Sequence, residues 1–397
     1  MQSFFRQLNR DLKTFGLGIP QLIVDETALN HNIRYVQQQL KAAPHLQPRL
    51  VVKSLASMPL LKTLSSALNT QRFMVFHITH VTEICSAFSD AKILFGKPMP
   101  IRAVEQLYQN EKVSAHQEIH WLIDQFSRLK QYVELAQRLK LRLKVNLEID
   151  VGLHRGGIKS HGEFEVILSY IQRHREYIEL VGLMGYDAHV TKIPKMIKNA
   201  QHVYAESQKI YAGYIDIIQK QFPSLNSPEL CFNGGGSPTF NFHVKQSVCN
   251  DLSFGSMLLK PSDFDSEYLT QLHPALFIAT PVLKVLDSVE LPGIALLDRV
   301  QKLKHQHAVF IYGGYWMGQY VYPPKTHPHL LYGRSTNQEL VCVGKEQQIS
   351  IDDHVFLRPS QSEVIIPQFK NTYLYREYRD DSFVPQSRFE QWENFRE

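Results

Sequence analysis

The alternation of short β-rich runs with longer helical segments between residues 49 and 260 limits the possible folds of this chain more than any other feature. Eight runs are typical of buried strands: LVVK at 50, FMVFH at 73, KILFG at 92, IHWLI at 119, LKVNLEI at 143, ELVGLMGY at 179, ELCFN at 229 and DLSFGSM at 251. Between them, apolar residues recur three and four positions apart, as in amphipathic helices. Eight repeats over roughly 210 residues predict a (β/α)8 TIM-type barrel, with an open doubly wound sheet as the alternative.

The chain on either side of this region shows a different pattern. The runs ALFIATPVLKVLDS, HAVFIYGG, QELVCVG, DHVFLRPS and EVIIPQF are strand-like and are joined by Pro, Gly, Asn and Asp, which predicts a C-terminal antiparallel β domain. A lone strand and a helix at 20–41 precede the barrel, and we expect this strand to join the C-terminal sheet. The predicted domains are therefore 1–45, 46–265 and 266–397.

Charge, hydropathy and cysteine spacing exclude several classes of protein. The net charge of +5 is spread without a basic run, so no nucleic-acid partner is expected. No run approaches the ~18 apolar residues of a membrane span, so no membrane partner is expected either. The four cysteines show no CxxC spacing, which favours a reducing compartment and a cytoplasmic protein.

Polar side chains follow several of the predicted barrel strands. In a (β/α)8 barrel the catalytic groups lie at the carboxyl ends of the strands, so these residues are expected to converge on one face. They are Lys53, His77, His80, Asp150, His154, Arg155, Tyr186, Asp187, His189 and Asn233 to Gly236.

Each of the main candidates has a functional and an ordinary structural interpretation. Desolvation would favour the neutral amine of Lys53 that Schiff-base chemistry needs, whereas a snorkelling lysine would keep its ammonium in water. The glycines of NGGGSPT at 233–239 can bind an anion through backbone N–H groups, or simply form a tight turn. Arg155 can face an anion or form a surface ion pair. Tyr186 and His189 can transfer protons or be packed and hydrogen-bonded.

Four segments together resemble one enzyme family. RLVVKSLAS, EIDVGLHRGG, GLMGYDAHV and NGGGSPT, in this order and spacing, are similar to the fold-type III pyridoxal-phosphate enzymes of the D-threonine aldolase and D-serine dehydratase group, which are related to alanine racemase. The resemblance implies a barrel of the alanine-racemase kind, a C-terminal β domain, and a homodimer with an active site between the subunits. The implied ligands are pyridoxal 5'-phosphate and a small amino-acid substrate.

The resemblance also assigns roles by position. Lys53 corresponds to the lysine that forms the Schiff base with the cofactor, and Arg155 to the arginine that faces the pyridine nitrogen. The phosphate loop corresponds to Gly234, Gly235, Gly236 and Ser237. Tyr186, also near the cofactor, and His189 match polar residues near the substrate. A permanently charged arginine leaves the pyridine nitrogen unprotonated, which favours racemisation, aldol cleavage or prompt loss of a β-substituent.

The sequence departs from the family at the expected metal ligands. The relatives bind a divalent metal through a histidine and a second ligand two residues on, and FLRPSQSE places Arg358 and Ser360 at those positions. Arginine has no acceptor atom and cannot ligate a metal, so a divalent metal is doubtful and no metal ligand is predicted. The nearby His354 is expected to be a surface or turn residue.

Arg358 has a second possible role. With Gln361 beside it, the guanidinium could bind a substrate carboxylate through two parallel hydrogen bonds. The structural alternative is an ion pair with Glu363 or Asp352.

The function predicted from these residues is aldol cleavage or dehydration of a β-hydroxy-D-amino acid by a pyridoxal-phosphate lyase. One alternative is an amino-acid racemase that uses Lys53 and Tyr186 as two bases. Another is a non-catalytic pyridoxal-phosphate-binding protein, which would have no need of the extra β domain.

Overall fold

The computed structural model describes residues 2–110, 113, 117–194, 196–287, 306–329, 331–377 and 388–395. The chain divides into two compact units. We call Ile33–Met257, Ser266–Gln271 and Phe395–Glu397 the barrel unit, and Met1–Asn32, Leu258–Asp265 and Leu272–Asn394 the β unit. The predicted domains, as parts of the chain that fold independently, stay a prediction.

The strands and helices have the following bounds. The strands are β1 (Gln21–Asp25), β2 (Gln47–Val51), β3 (Arg72–Val75), β4 (Lys92–Phe95), β5 (Glu118–Ile123), β6 (Leu143–Glu148), β7 (Ile178–Gly185), β8 (Cys231–Gly234), β9 (Asp251–Phe254), β10 (Leu276–Leu286), β11 (Gln306–Tyr312), β12 (Gly318–Tyr322), β13 (His327–Pro328), β14 (Gln338–Gly344), β15 (His354–Pro359), β16 (Asn371–Tyr375) and β17 (Phe389–Glu393). The helices are α1 (Gln2–Phe15), α2 (Glu26–Lys41), α3 (Met58–Ala67), α4 (Ile78–Ala87), α5 (Ile101–Tyr108), α6 (Phe126–Leu139), α7 (His161–Arg173), α8 (Ala200–Gln221), α9 (Phe240–Lys245), α10 (Ser256–Leu259) and α11 (Ser362–Ile365).

The eight strands β2 to β9 form a closed parallel barrel, which confirms the predicted (β/α)8 fold. Each strand pairs with the next along the chain, and β9 closes the barrel by pairing with β2 from Gln47 to Leu50. Every apolar run predicted as a barrel strand overlaps one of these strands, because strands covered on both faces are continuously apolar. The carboxyl ends of all eight strands therefore lie on one face of the barrel.

The barrel interior contains a buried ion pair. Arg49 of β2 donates two hydrogen bonds to the Asp251 carboxylate of β9, with distances of 2.7 and 2.9 Å. Its other terminal nitrogen donates to the backbone carbonyls of Phe73 (3.1 Å) and Lys92 (2.8 Å). Burial alone would raise the pKa of Asp251, but the Arg49 guanidinium holds it below its usual value. The buried carboxylate is therefore ionised at neutral pH and pairs with a permanent cation.

The β unit contains a mostly antiparallel sheet, as predicted. Its strand order is β13-β14-β11-β10-β1-β16-β17, and β15 pairs with both β10 and β12. The N-terminal strand β1 lies inside this sheet, antiparallel to β10 and parallel to β16. Within the described residues, no helix is long and apolar enough to cross a membrane.

One run predicted as a strand in the β unit is helical. EVIIPQF contributes to α11 and to the 3-10 helix Ile366–Gln368 instead of a strand. The consecutive residues Ile365 and Ile366 are both buried, which a strand with one covered face does not allow. Pro367 then lies in the first turn of the 3-10 helix, where its missing N–H costs no hydrogen bond.

Candidate active site

Lys53 lies immediately after the first barrel strand, at the carboxyl end of the barrel. The strand β2 ends at Val51, and Lys53 belongs to the 3-10 helix Val52–Leu55. Its neighbours in this turn are buried while Lys53 itself is half-buried, so the turn is fixed and the lysine side chain reaches the end of the barrel. The Lys53 ammonium nitrogen lies 4.7 Å from the centre of the Phe76 ring.

The glycine loop, which we define as Gly234–Ser237, lies at the end of β8, on the same face of the barrel as Lys53. Its Gly235 has a φ of +75°, a conformation that side chains disfavour. A Cβ atom on Gly234 would lie 2.6 Å from the sulfur of Cys249, and one on Gly235 would lie 2.4 Å from Leu252. Glycine is therefore required at both positions, because the backbone packs directly on the side chains beneath it.

A chain of hydrogen bonds connects this loop to the turn that carries the lysine. The hydroxyl of Ser237 accepts the backbone N–H groups of Gly255 (3.4 Å) and Met257 (3.1 Å). Between these two residues, the Ser256 hydroxyl donates to the hydroxyl of Ser54, at 2.8 Å. Since Ser54 is the residue after Lys53, the glycine loop and the lysine turn are neighbours at the end of the barrel.

Tyr186 lies between the glycine loop and Arg155. A Cβ atom on Gly236 would approach the Tyr186 ring to 2.9 Å, so the loop backbone packs against this ring. The guanidinium carbon of Arg155, an exposed residue, lies 5.0 Å from the centre of the same ring. Burial raises the pKa of Glu148, at the end of β6, and the charge of Arg155 partly offsets that shift. Arg155 thus has a nearby carboxyl group as well as the tyrosine ring.

His189 lies two residues beyond Asp187 in the 3-10 helix Ala188–Thr191. Its Nε2 atom is 3.2 Å from the hydroxyl of Ser207, and a Cβ atom on Gly152 would lie 2.9 Å from the same nitrogen. Its Nδ1 atom is buried and has no hydrogen-bond partner in the described part of the chain. Burial lowers the pKa of His189, which the Asp187 carboxylate opposes, so the imidazole is neutral at neutral pH.

A buried network that the sequence analysis did not recognise lies under the glycine loop. The Asp187 carboxylate accepts a hydrogen bond from the Thr239 hydroxyl at 2.7 Å, and its other oxygen lies 2.8 Å from Nε2 of His243. The second ring nitrogen of His243 is 2.8 Å from the hydroxyl of Ser247. No sequence signal marks His243, because a histidine within an apolar helix such as FNFHVK is common in protein cores.

The predicted substrate residues Arg358 and Gln361 lie in the β unit. Arg358 forms a bidentate ion pair with Asp265, with both distances 2.7 Å, and donates to the backbone carbonyl of Lys260. Its structural partner is therefore Asp265, not Glu363 or Asp352 as considered from the sequence. Gln361 donates to Asp263 at 2.9 Å. The substrate roles of both side chains stay predictions.

His354 differs from its expected position. It is buried in β15, not a surface or turn residue, and its backbone N–H donates to the side chain of Asn9 at 2.8 Å. His354 is buried because β15 lies between β10 and β12 in the sheet. Across the described residues, no group of three or more His, Cys, Asp or Glu side chains is placed to hold a metal ion.

The residues at the barrel end fit pyridoxal phosphate. The amine of Lys53, the glycine backbone with the Ser237 hydroxyl, and the guanidinium of Arg155 supply the groups that an aldehyde, a phosphate and a pyridine ring need. The glycines also bring the loop backbone against Tyr186, where a side chain would collide with the ring. The individual roles of these residues, including Tyr186 and His189, stay predictions.

Comparison with known proteins agrees with this arrangement. A profile of the family "Alanine racemase, N-terminal domain" matches residues 24–262, more than half of the chain. The chain belongs to this family. The match confirms the resemblance to fold-type III pyridoxal-phosphate enzymes. A search of curated protein sequences found no match.

Several solved structures share the fold of this chain at low sequence identity. D-threonine aldolase from Filomicrobium marinum is 15% identical, with 95% of this chain and 97% of that chain covered and a TM-score of 0.71. D-threo-3-hydroxyaspartate dehydratase from Delftia sp. HT23 is 14% identical, with the same coverage and a TM-score of 0.71. Alanine racemase from Bacillus anthracis is 13% identical, covers 90% and 95%, and has a TM-score of 0.67.

Proposed function

We propose that this protein is a pyridoxal-phosphate enzyme that acts on D-amino acids, and that it cleaves or dehydrates a β-hydroxy-D-amino acid. The observation that carries the proposal is the grouping of Lys53, the glycine loop, Tyr186 and Arg155 at the carboxyl end of one barrel. Pyridoxal phosphate, when bound, would withdraw electrons from the α-carbon of the substrate.

The chain's own residues supply the remaining chemistry in this proposal. Lys53 holds the cofactor and, once released by the substrate amine, can move a proton at the α-carbon or near the β-hydroxyl. Arg155 presents a charge that cannot be removed, so it donates a hydrogen bond without transferring a proton. His189 is held neutral by burial and can accept a proton from a substrate hydroxyl.

A racemase is the second candidate. It would use Lys53 and Tyr186 as acid and base on opposite faces of the substrate. The similarity of the chain to alanine racemases as well as to an aldolase and a dehydratase supports keeping both reactions. A non-catalytic binding protein is less well supported, because the neighbours named as enzymes match nearly the whole chain, including the β unit.

The cofactor proposal is tested by absorption spectroscopy on the purified protein. We expect the visible absorption of a protein-bound Schiff base, its removal by borohydride, and its absence in Lys53→Ala. The exposed Lys62 of α3 provides a matched control, and Lys62→Ala should keep the spectrum. A wild-type protein that remains colourless after incubation with pyridoxal phosphate would refute the proposal.

The reaction is tested by incubation with the D- and L-enantiomers of threonine and serine. Aldol cleavage releases an aldehyde, dehydration releases a keto acid and ammonia, and racemisation yields the other enantiomer. Because Arg358 and Ser360 occupy the positions expected for metal ligands, we propose that no divalent metal is needed. Activity that is lost with a chelator and restored by a divalent ion would contradict this.

We also propose that the protein is a cytoplasmic homodimer. Six large apolar side chains of the β unit are more than half exposed: Leu17, Tyr315, Met317, Leu331, Tyr332 and Ile351. Exposed apolar surface of this kind is one of the features of surfaces that bind another protein. Light scattering coupled to size-exclusion chromatography should give twice the mass of the chain, and a monomer would contradict the proposal.

A further inference from the structure

The glycine loop is connected to the end of β7 through one buried carboxylate. Asp187 directly follows Tyr186, and both of its oxygens are engaged, one by Thr239 at 2.7 Å and the other by His243 at 2.8 Å. All three side chains are buried. A buried carboxylate loses its hydration, so it is stable only while its hydrogen-bond partners are retained.

The two partners of Asp187 hold the loop at different points. Thr239 is the last residue of the 3-10 helix Ser237–Thr239, so its hydroxyl attaches the end of the loop to the carboxylate. His243 lies under the first two glycines of the loop: a Cβ atom on Gly234 would be 3.2 Å from its ring, and one on Gly235 would be 3.0 Å from it. The loop backbone therefore rests on the imidazole that Asp187 orients.

The hydrogen bond between Asp187 and His243 also identifies a ring nitrogen of the histidine that carries a proton. A carboxylate oxygen can only accept, so Nε2 of His243 carries the proton. Because the other ring nitrogen is hydrogen-bonded to Ser247, the ring is held in one orientation from both sides. A fixed ring under Gly234 and Gly235 holds the backbone of the loop in one conformation, and this preorganisation is what a phosphate-binding loop requires.

We infer that Asp187 is a positioning residue that fixes the Gly234–Ser237 loop for the phosphate of the cofactor, through Thr239 and His243. The inference rests on the proposed function, because it assumes that pyridoxal phosphate is the ligand. It predicts a specific effect: loss of the anchor weakens binding of the phosphate and leaves the reaction of Lys53 with an aldehyde unchanged.

The test compares two ligands and two matched variants of Thr239. Thr239→Val removes the hydroxyl at nearly constant volume, whereas Thr239→Ser keeps it. Full-length apoprotein of each variant is titrated with pyridoxal 5'-phosphate and with pyridoxal, which has the same aldehyde but no phosphate. We expect Thr239→Val to bind pyridoxal 5'-phosphate about tenfold more weakly, as expected for loss of a buried hydrogen bond to a charged acceptor.

The other combinations of variant and ligand should show nearly the wild-type affinity in the same titrations. Thr239→Ser should bind pyridoxal 5'-phosphate within about twofold of wild type, and all three proteins should bind pyridoxal equally well. Equal weakening for both ligands would mean that Thr239 only stabilises the fold and would overturn the inference. Equal affinities of the Val and Ser variants for pyridoxal 5'-phosphate would overturn it as well.

A second measurement does not depend on the ligand. Amide hydrogen exchange of the loop in the apoprotein should be faster in Thr239→Val and in Asp187→Asn than in wild type, while the exchange of barrel strands stays the same. Unchanged loop exchange in both variants would overturn the anchor. A wild-type protein that binds neither ligand would refute the proposed function, and loop exchange would still decide whether the anchor exists.

Discussion

Removal of one member of the Arg49–Asp251 ion pair should strongly destabilise the barrel. The two side chains are 0% and 1% exposed, so neither charge can reach water if its partner is lost. Asp251→Ala leaves the guanidinium with the backbone carbonyls of Phe73 and Lys92 and the sulfur of Cys231. Arg49→Met leaves the carboxylate with Arg72 at 3.2 Å and the side chain of Asn233 at 2.6 Å.

The magnitude follows from this burial. Breaking a buried ion pair by removing one partner costs about 3–5 kcal/mol, and we expect Asp251→Ala to lie in this range. The double variant Arg49→Met/Asp251→Ala removes both charges, so it should be less destabilised than the sum of the single variants by at least about 2 kcal/mol.

The assay is urea unfolding followed by circular dichroism at pH 7, where Asp251 is ionised. The exposed pair of Asp216 and Lys220 on α8 serves as the control, since its side chains are 55% and 71% exposed. Asp216→Ala should change the free energy of unfolding by less than about 1 kcal/mol. A loss below about 1 kcal/mol in Asp251→Ala, or strictly additive single variants, would refute the reasoning.

Two further predictions concern a buried histidine and the proposed substrate arginine. Burial, with a contribution from His77, lowers the pKa of His80 from 6.5 to about 4, so the unfolded chain binds a proton first as the pH falls. The free energy of unfolding is therefore unaffected by His80 above pH 6.5, and it decreases by about 3 kcal/mol as the pH falls towards 4. In urea unfolding measured at a series of pH values, His80→Phe should remove this decrease. The exposed His45→Phe should keep it. If His80→Phe unfolds with the pH dependence of wild type, the assignment is wrong. Arg358→Met should lower the free energy of unfolding by about 1.5–3 kcal/mol because it breaks the ion pair with Asp265. A normal thermal melt combined with selective loss of substrate binding would instead support the substrate role of Arg358.

The barrel strands were predictable because their signal is local. Each apolar run reports burial on both faces of a strand, and each helical segment reports one apolar face, whatever the rest of the chain does. The failure at EVIIPQF has the opposite cause. Its apolar composition suits a strand or a buried helix equally, and the side chains that surround it in the β unit decide between them.

One part of the candidate site was predictable from the sequence, and another part was not. Lys53 and the glycine loop follow strands, and a closed parallel barrel brings all strand ends to one face, so their proximity follows from the fold. Arg358 shows the limit of this reasoning, because its ion pair with Asp265, 93 residues away, has no counterpart in the local sequence.

The sequence by itself therefore determined the barrel, the β sheet region and the residues at the strand ends, because these depend on periodicity along the chain. The tertiary structure alone decided which polar side chains meet. Asp187 and His243 are 56 residues apart, and Arg49 and Asp251 are 202 apart. A hydrogen bond needs its atoms within about 3 Å, and only the closed barrel brings such distant residues to that distance.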